Sequence, residues 1–407
     1  LLIVQKYGGT SVGNSERIMN AAKKIINTYE NGNSVVVVLS AQGDTTDELI
    51  KKAKEVNPKA SKREMDMLLA TGEQQSAALM AMAINSLGYP AISLNAQQIG
   101  IHSSSNHSNA RIKSIRKTRI NAELEKKNIV LITGFQGINK FGDITTLGRG
   151  GSDTTAVALS AFLGADLCEI YTDVDGVFTA DPRIVKNAKK LDEISYNEML
   201  ELASLGAKVL HNSSVEFAKK HKVEVIVRST FSDNAGTLVK EGVSMEKLFI
   251  SGVAIDRSVA KITVFSVEDN ARSIFNIFSI LAKKNIAVDI TLQSVGKDGM
   301  KDISFTVSRE ELEDALVALK ESNDLLKFSD IVYNDKIAKL SVVGAGMAQN
   351  SGIASKMFEA LYEIGVDIQL IVTSEIRLTV LIDEDDVERA ANNVHDKFIC
   401  TCEEDNF

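Results

Sequence analysis

Short apolar runs at residues 1–4, 34–39, 91–94, 129–133, 167–172 and 223–227 recur through the first part of the chain, and they constrain its fold more than any other feature. The run Val35-Val36-Val37-Val38-Leu39 is the clearest. Continuous apolar runs of this length, without polar alternation, fit strands covered on both faces of a mostly parallel sheet. Helical patterns fill the gaps, at 16–31, 63–87, 112–127, 154–163, 196–202 and 214–220. The alternation predicts a three-layer α/β sandwich over residues 1–240. The polar stretch Ser232-Asp233-Asn234-Ala235-Gly236 marks its end.

Two glycine-rich turns sit where a strand hands over to a helix. The first is Lys6-Tyr7-Gly8-Gly9-Thr10-Ser11 and the second Gly148-Arg149-Gly150-Gly151-Ser152-Asp153. Glycine lets the backbone approach a phosphate and take φ > 0. Lys6 supplies a compact cation for phosphoryl oxygens, and Arg149 a planar fork that grips a carboxylate in two places. Asp153 either caps the following helix or joins the same site. Together the turns describe a crevice for a polyphosphate and a second, anionic reactant. There is no Gly-x-x-x-x-Gly-Lys-Ser/Thr run, so a P-loop is excluded, and the His-Arg-Asp and Asp-Phe-Gly pair of protein kinases is missing.

Bulk properties narrow the class. A net charge of −8 argues against a nucleic-acid binder. No apolar stretch reaches the roughly 18–20 residues of a membrane span, and the apolar opening is too short for a signal peptide. Cys168, Cys400 and Cys402 form no disulfide framework and no four-ligand metal set, which fits a reducing cytoplasm.

Beyond residue 240 the chain repeats itself. Ala260-Lys261-Ile262-Thr263-Val264 answers to Ala338-Lys339-Leu340-Ser341-Val342 at an offset of 78, which drifts to 80 and back to 75. Each copy reads strand, helix, strand, strand, helix. A final strand at the end of each copy would complete βαββαβ, the ferredoxin-like arrangement. The expected domains are 1–240, 250–332 and 333–407.

The two glycine turns, Ser40-Ala41-Gln42-Gly43-Asp44-Thr45-Thr46-Asp47, Thr71-Gly72-Glu73 and the run from Thr172 to Arg183 resemble the aspartate kinases, in order and from end to end. The resemblance implies the amino-acid-kinase sandwich followed by two ACT domains. It also implies ATP-dependent phosphorylation of the L-aspartate side-chain carboxylate to 4-phospho-L-aspartate, the first step of lysine, threonine and methionine biosynthesis. In that scheme Lys6 and Asp153 are catalytic. Glu73 takes the substrate ammonium, while Arg149 and Ser152 hold a substrate carboxylate and Thr46 (or Thr45) lines the same pocket. Gly8, Gly9, Ser11, Ser40, Thr172, Asp173, Phe178, Asp181, Arg183 and Lys208 surround ATP, and Mg²⁺ rides on the nucleotide with no protein cage. An ionised aspartate needs no general base. His211 is expected to be structural, and His102 and His107 to lie in a mobile loop beside the substrate.

The ACT pair implies feedback by lysine, threonine or both, and a homodimer built through this half, with tetramers left open. Asn270, Ser273, Ile274, Asp289, Gln293, Gly352, Ile353 and Gln369 are the candidate effector residues. The rival readings are another amino-acid kinase, acting on glutamate, acetylglutamate or a nucleotide, and an ATP- and amino-acid-binding sensor without turnover.

Overall fold

The computed structural model describes residues 1–206, 209–242, 250–294, 296, 298–345, 347 and 352–400. The chain divides into two compact units, Leu1–Phe178 with Lys189–Lys247 and Thr179–Ala188 with Leu248–Phe407.

The first unit is built on an eight-stranded sheet. Its strand order is Glu193–Ser195, Thr237–Lys240, Val225–Ser229, Leu167–Thr172, Leu2–Tyr7, Ser34–Leu39, Ile129–Thr133, Ala91–Leu94. All neighbours run parallel except Val225–Ser229 against Thr237–Lys240. Strand alternation sends Val35, Val37 and Leu39 to one face, where they meet Ile18, Ala22, Ile25 and Ile26 of the Ser15–Glu30 helix and Met80 and Ile84 of the Thr71–Ser86 helix. That first helix is apolar at i, i+3, i+4, i+7 and i+8, and Asn14 caps it by accepting from Arg17 N–H at 2.9 Å. Ile25 is fully buried in this seam, so truncating it to alanine costs about 2–5 kcal/mol. The Gly151–Leu163 helix packs against the central strands and against Asn212–His221. The three-layer sandwich is therefore as the alternation predicts.

Leu2–Tyr7 lies in the middle of the sheet, with its chain neighbour Ser34–Leu39 on one side and the late strand Leu167–Thr172 on the other. Strand order reverses there. In open α/β sheets the crevice beyond the carboxyl ends of such strands is where ligands bind, and Lys6 and the first glycine turn stand at that end.

Two helix boundaries differ from the sequence pattern. The stretch 63–87 is two helices, Lys62–Leu69 and Thr71–Ser86, meeting at Ala70, whose carbonyl accepts from Gln136 Nε2 at 3.0 Å. The start of 112–127 is a strand, Ile112–Ile115, paired antiparallel with Ile101–Ser103, and only Thr118–Glu125 is helical. Those strands join Gln136–Ile138 and Ile144–Thr146 in a small second sheet. Its strands are too short to leave a period in the sequence.

The second unit holds two four-stranded antiparallel sheets, each with two main helices. The first module is a complete βαββαβ, closing with Asp330–Asn334 beside Val259–Glu268. The second is completed differently from the expectation. No fourth strand follows its last helix among the described residues, and Gly252–Asp256, from before the first module, pairs antiparallel with Ile337–Val343 in that position. The apolar residues Val253 and Ile255 face the second core, where burial outweighs chain order. Ala180 and Val185 of the 179–188 segment are buried in the same core.

Candidate active site

At the end of the Leu2–Tyr7 strand, Gly9 begins a short helical turn, Gly9–Val12. A Cβ on Gly9 would come within 2.7 Å of Ala41 O, so only glycine fits under the loop that follows Ser34–Leu39. That loop is stitched to the turn by Ser40 N–H to Tyr7 O at 3.2 Å and Gly43 N–H to Gly9 O at 3.1 Å. Ser11 Oγ is 2.6 Å from Thr230 Oγ1. The leading N–H groups of a helical turn have no partner within it, so this one is open to an anion.

Lys6 turns its ammonium to the second glycine turn. Its Nζ is 2.7 Å from Asp153 Oδ1, with the two side chains 11% and 12% exposed. Charges this sheltered need each other, yet enough surface remains for a ligand to meet both. Asp153 lies in the first turn of the Gly151–Leu163 helix, which has no side-chain cap. The positive end of that helix dipole and the leading N–H groups face the same point as the Lys6 ammonium, an arrangement suited to phosphate.

The second turn is held by contacts on three sides. Gly150, at φ +69°, lies under His211, and Gly151 packs on Phe135. Ser152 Oγ would be 2.6 Å from a Cβ on Gly134. His211 also caps the Asn212–His221 helix, so it is a structural residue that shapes the turn. Arg149, at the crest, is exposed and enters no ion pair among the described residues.

Glu73 sits in the first turn of Thr71–Ser86 and is buried. Its Oε1 accepts from Ala41 N–H at 3.1 Å, while Oε2 has no partner. Burial raises its pKa from 4.5 to about 7. Gly72 lets this helix start against the 40–43 loop, since a Cβ there would be 2.8 Å from Ala41 Cβ and 3.6 Å from Thr45 Cγ2. Thr46, half-buried, is the next residue of the Thr45–Val56 helix.

Of the nucleotide candidates, Ser40 follows the second strand and Thr172 ends Leu167–Thr172, with its Oγ1 donating to Asp173 Oδ1 at 3.1 Å. Phe178 forms a β-bridge with Lys190. Asp181 and Arg183 fall in the 179–188 segment of the second unit and bind each other, Arg183 Nη2 to Asp181 Oδ2 at 2.7 Å, which lowers the Asp181 pKa. Lys208 lies outside the described residues.

The effector candidates form two groups. Asn270 caps the Ala271–Lys283 helix through Ser273, and Ile274 packs on the first module's core. Gln293 Oε1 accepts from Lys301 Nζ at 3.0 Å. Asp289 pairs with Lys339, and Gln369 Oε1 accepts from Lys261 at 3.2 Å, both contacts joining one module to the other. Gly352 opens the Gly352–Glu363 helix, and Ile353 is buried in the second core.

The segment around His107 is tethered, contrary to the expectation of a mobile loop. His107 Nδ1 is 2.8 Å from Asp66 Oδ2, and Ser108 N–H donates to the same carboxylate. His102 is on the Ile101–Ser103 strand, 3.4 Å from Arg116 Nη2. Asp66, completely buried, is the residue that sequence reading missed. Its only local signal is a carboxylate between two methionines.

A cation and an acid at a helix N-terminus, with a bare carboxylate nearby on a sheet of this topology, fit phosphoryl transfer from a nucleotide to a small amino acid. That is the class the fold and the site define. Comparison with known proteins agrees: the amino acid kinase family matches residues 2–229, and an ACT domain matches 340–398. Aspartokinase of Geobacillus stearothermophilus is 49% identical over 398 residues, 98% of this chain and 97% of that one. Aspartate kinase from Synechocystis has 41% sequence identity and a TM-score of 0.55, covering 98% of this chain and 69% of its own. Escherichia coli aspartokinase III, solved with aspartate and ADP and with lysine and aspartate, is 24% identical with TM-scores of 0.80 and 0.78, a likeness of fold. It covers 98% of this chain and 99% of its own in both cases. The chain belongs to the aspartokinase family.

Proposed function

We propose that this enzyme transfers the γ-phosphoryl group of ATP to the side-chain carboxylate of L-aspartate, giving 4-phospho-L-aspartate. The Lys6–Asp153 contact carries the reading, because it brings the first glycine turn and the arginine turn into one crevice. The open N–H groups at Gly9 and at Ser152 receive phosphate oxygens, and Lys6 follows the transferring group as its charge redistributes. Asp153 holds Lys6 in place when no phosphate is there. Glu73 Oε2, otherwise unpartnered, takes the α-ammonium, and Arg149 with Ser152 takes a carboxylate, Thr45 or Thr46 completing the pocket. The acceptor is already ionised at neutral pH, so the site has only to position it and stabilise charge.

Mg²⁺ bound with the nucleotide would supply charge neutralisation at the phosphates. Among the described residues no cluster of three His, Cys, Asp or Glu would cage an ion. Ser40, Thr172, Asp173, Phe178 and Lys208 complete the nucleotide site in this reading, as the resemblance assigns them. The reaction opens the cytoplasmic route to lysine, threonine and methionine, with lysine, threonine or both acting back through the ACT modules of a homodimer. The aspartokinase III complex with lysine supports an amino-acid effector. A hydroxamate assay with ATP and either aspartate or glutamate tests the substrate. Product from glutamate and none from aspartate would replace this reading with a glutamate kinase, and none from either with a sensor.

A further inference from the structure

Asp66 is fully buried on the Lys62–Leu69 helix, and nothing in the proposed chemistry uses it. Its carboxylate is nevertheless bonded from three residues far off in the chain. His107 Nδ1 lies 2.8 Å from Oδ2, Ser108 N–H donates to both oxygens at 3.1 and 3.0 Å, and Thr146 Oγ1 donates to Oδ1 at 2.7 Å. Ser108 is held at φ +67°, a left-handed conformation that a serine keeps only where its surroundings fix it. A buried carboxylate of this kind rigidifies whatever donates to it.

What it joins gives the inference. On its own helix, Asp66 leads through Ala70 to Glu73, and the junction is locked by Ala70 N–H to Asp66 O at 3.1 Å and Gln136 Nε2 to Ala70 O. Thr146 is three residues before Arg149. Ser108 rests on the intervening turn: a Cβ on Gly148 would be 3.2 Å from Ser108 O. Ala110 N–H donates to Thr146 O at 2.9 Å and closes the triangle. One carboxylate thus ties the helix that runs directly into the Glu73 helix to both segments that shape the arginine turn.

We propose that Asp66 is a positioning residue that sets the spacing between Glu73 and Arg149, and thereby the length of amino acid the crevice accepts. The proposal rests on the substrate clamp described above. Glutamate is one methylene longer than aspartate, and a site discriminates a methylene only when its two ends are held at fixed separation. Loosening the tether weakens the two-ended grip on the acceptor, a loss of binding that shows in the KM for aspartate and not in kcat.

The test is steady-state kinetics on the full chain with Asp66→Asn, which keeps the shape and converts one acceptor oxygen to a donor facing Ser108 N–H. The expected result is a KM for aspartate raised about tenfold or more, kcat and the KM for ATP within about threefold, and a smaller aspartate-to-glutamate ratio of kcat/KM. Thr146→Val removes one bond and should shift the same two quantities less. A folded Asp66→Asn with unchanged KM and ratio overturns the proposal, as does a loss spread equally over kcat and both substrates. If Asp66→Asn does not fold, Thr146→Val decides alone, and an unchanged KM for aspartate overturns it. Absence of aspartate phosphorylation in the unaltered enzyme would instead remove the functional reading, so the two failures are distinct.

Discussion

Glu73 and Ala41 share a single hydrogen bond, 3.1 Å from N–H to Oε1, and the other carboxylate oxygen is left bare inside the protein. Desolvation with so little compensation raises the Glu73 pKa to about 7. An ammonium can pair only with the ionised form. The KM for aspartate should therefore fall about tenfold per pH unit up to pH 7 and level off above it, while the KM for ATP stays flat. A profile of kcat/KM against pH checks this, and a flat profile from pH 6 to 8 would exclude Glu73 as the ammonium partner.

The same carboxylate sets a stability prediction. A glutamate whose folded pKa lies above its value of 4.5 binds more protons when folded, so stability falls as pH rises from about 4.5 through about 7. Above that window the ionised form costs up to about 3 kcal/mol. Glu73→Gln should therefore be more stable than the parent at pH 8, close to it at pH 4.5, and nearly inactive. Urea unfolding at the two pH values measures the difference.

On the proposed mechanism, Lys6→Ala removes the cation from the phosphoryl path while leaving the aspartate clamp intact. Turnover should drop about 10²–10³-fold with the KM for aspartate changed less than about threefold. Stability falls too, because Asp153 is left sheltered without its partner. A change confined to KM would move Lys6 out of the reacting centre.

Much of this site was legible because its residues announce themselves locally. Glycine turns between apolar runs and helices need no distant partner to be read, and Lys6, Arg149 and Asp153 lie in or beside such turns, whereas Glu73, inside a helical stretch, was nominated by the family resemblance. Asp66 was not legible, since its partners are 41, 42 and 80 residues away and its own helix looks solvated. The strand Gly252–Asp256 was hidden for the same reason: it is a short apolar run whose partner is Ile337–Val343, about 85 residues on. The 112–115 strand failed differently, four residues being too few to separate a strand from the first turn of a helix.

The second glycine turn can be probed by adding one methyl group. Gly150→Ala would place Cβ 2.1 Å from His211 Cβ at φ +69°, so both backbone and packing oppose it. Gly142→Ala meets nothing within 4 Å at φ +84° and isolates the backbone cost of about 1–2 kcal/mol. Gly150→Ala should exceed that control in lost stability and also raise the KM for aspartate. Equal losses from the two variants would mean that His211 yields freely and does not hold the turn.

Asp289 offers the sharpest test of the regulatory half, because its carboxylate is already occupied by the Lys339 ammonium, with Asp256 3.6 Å from the same nitrogen. An effector whose ammonium binds Asp289 must displace that internal cation. Asp289→Ala should keep kcat and raise the concentration of the inhibiting amino acid for half inhibition about tenfold or more, a coupling loss near 1.4 kcal/mol. Lys339→Met should lower that concentration, since Asp289 then waits unpaired for a cation. Opposite shifts are diagnostic of displacement. Shifts in the same direction would mean that the pair only joins the two modules and that the effector ammonium binds elsewhere.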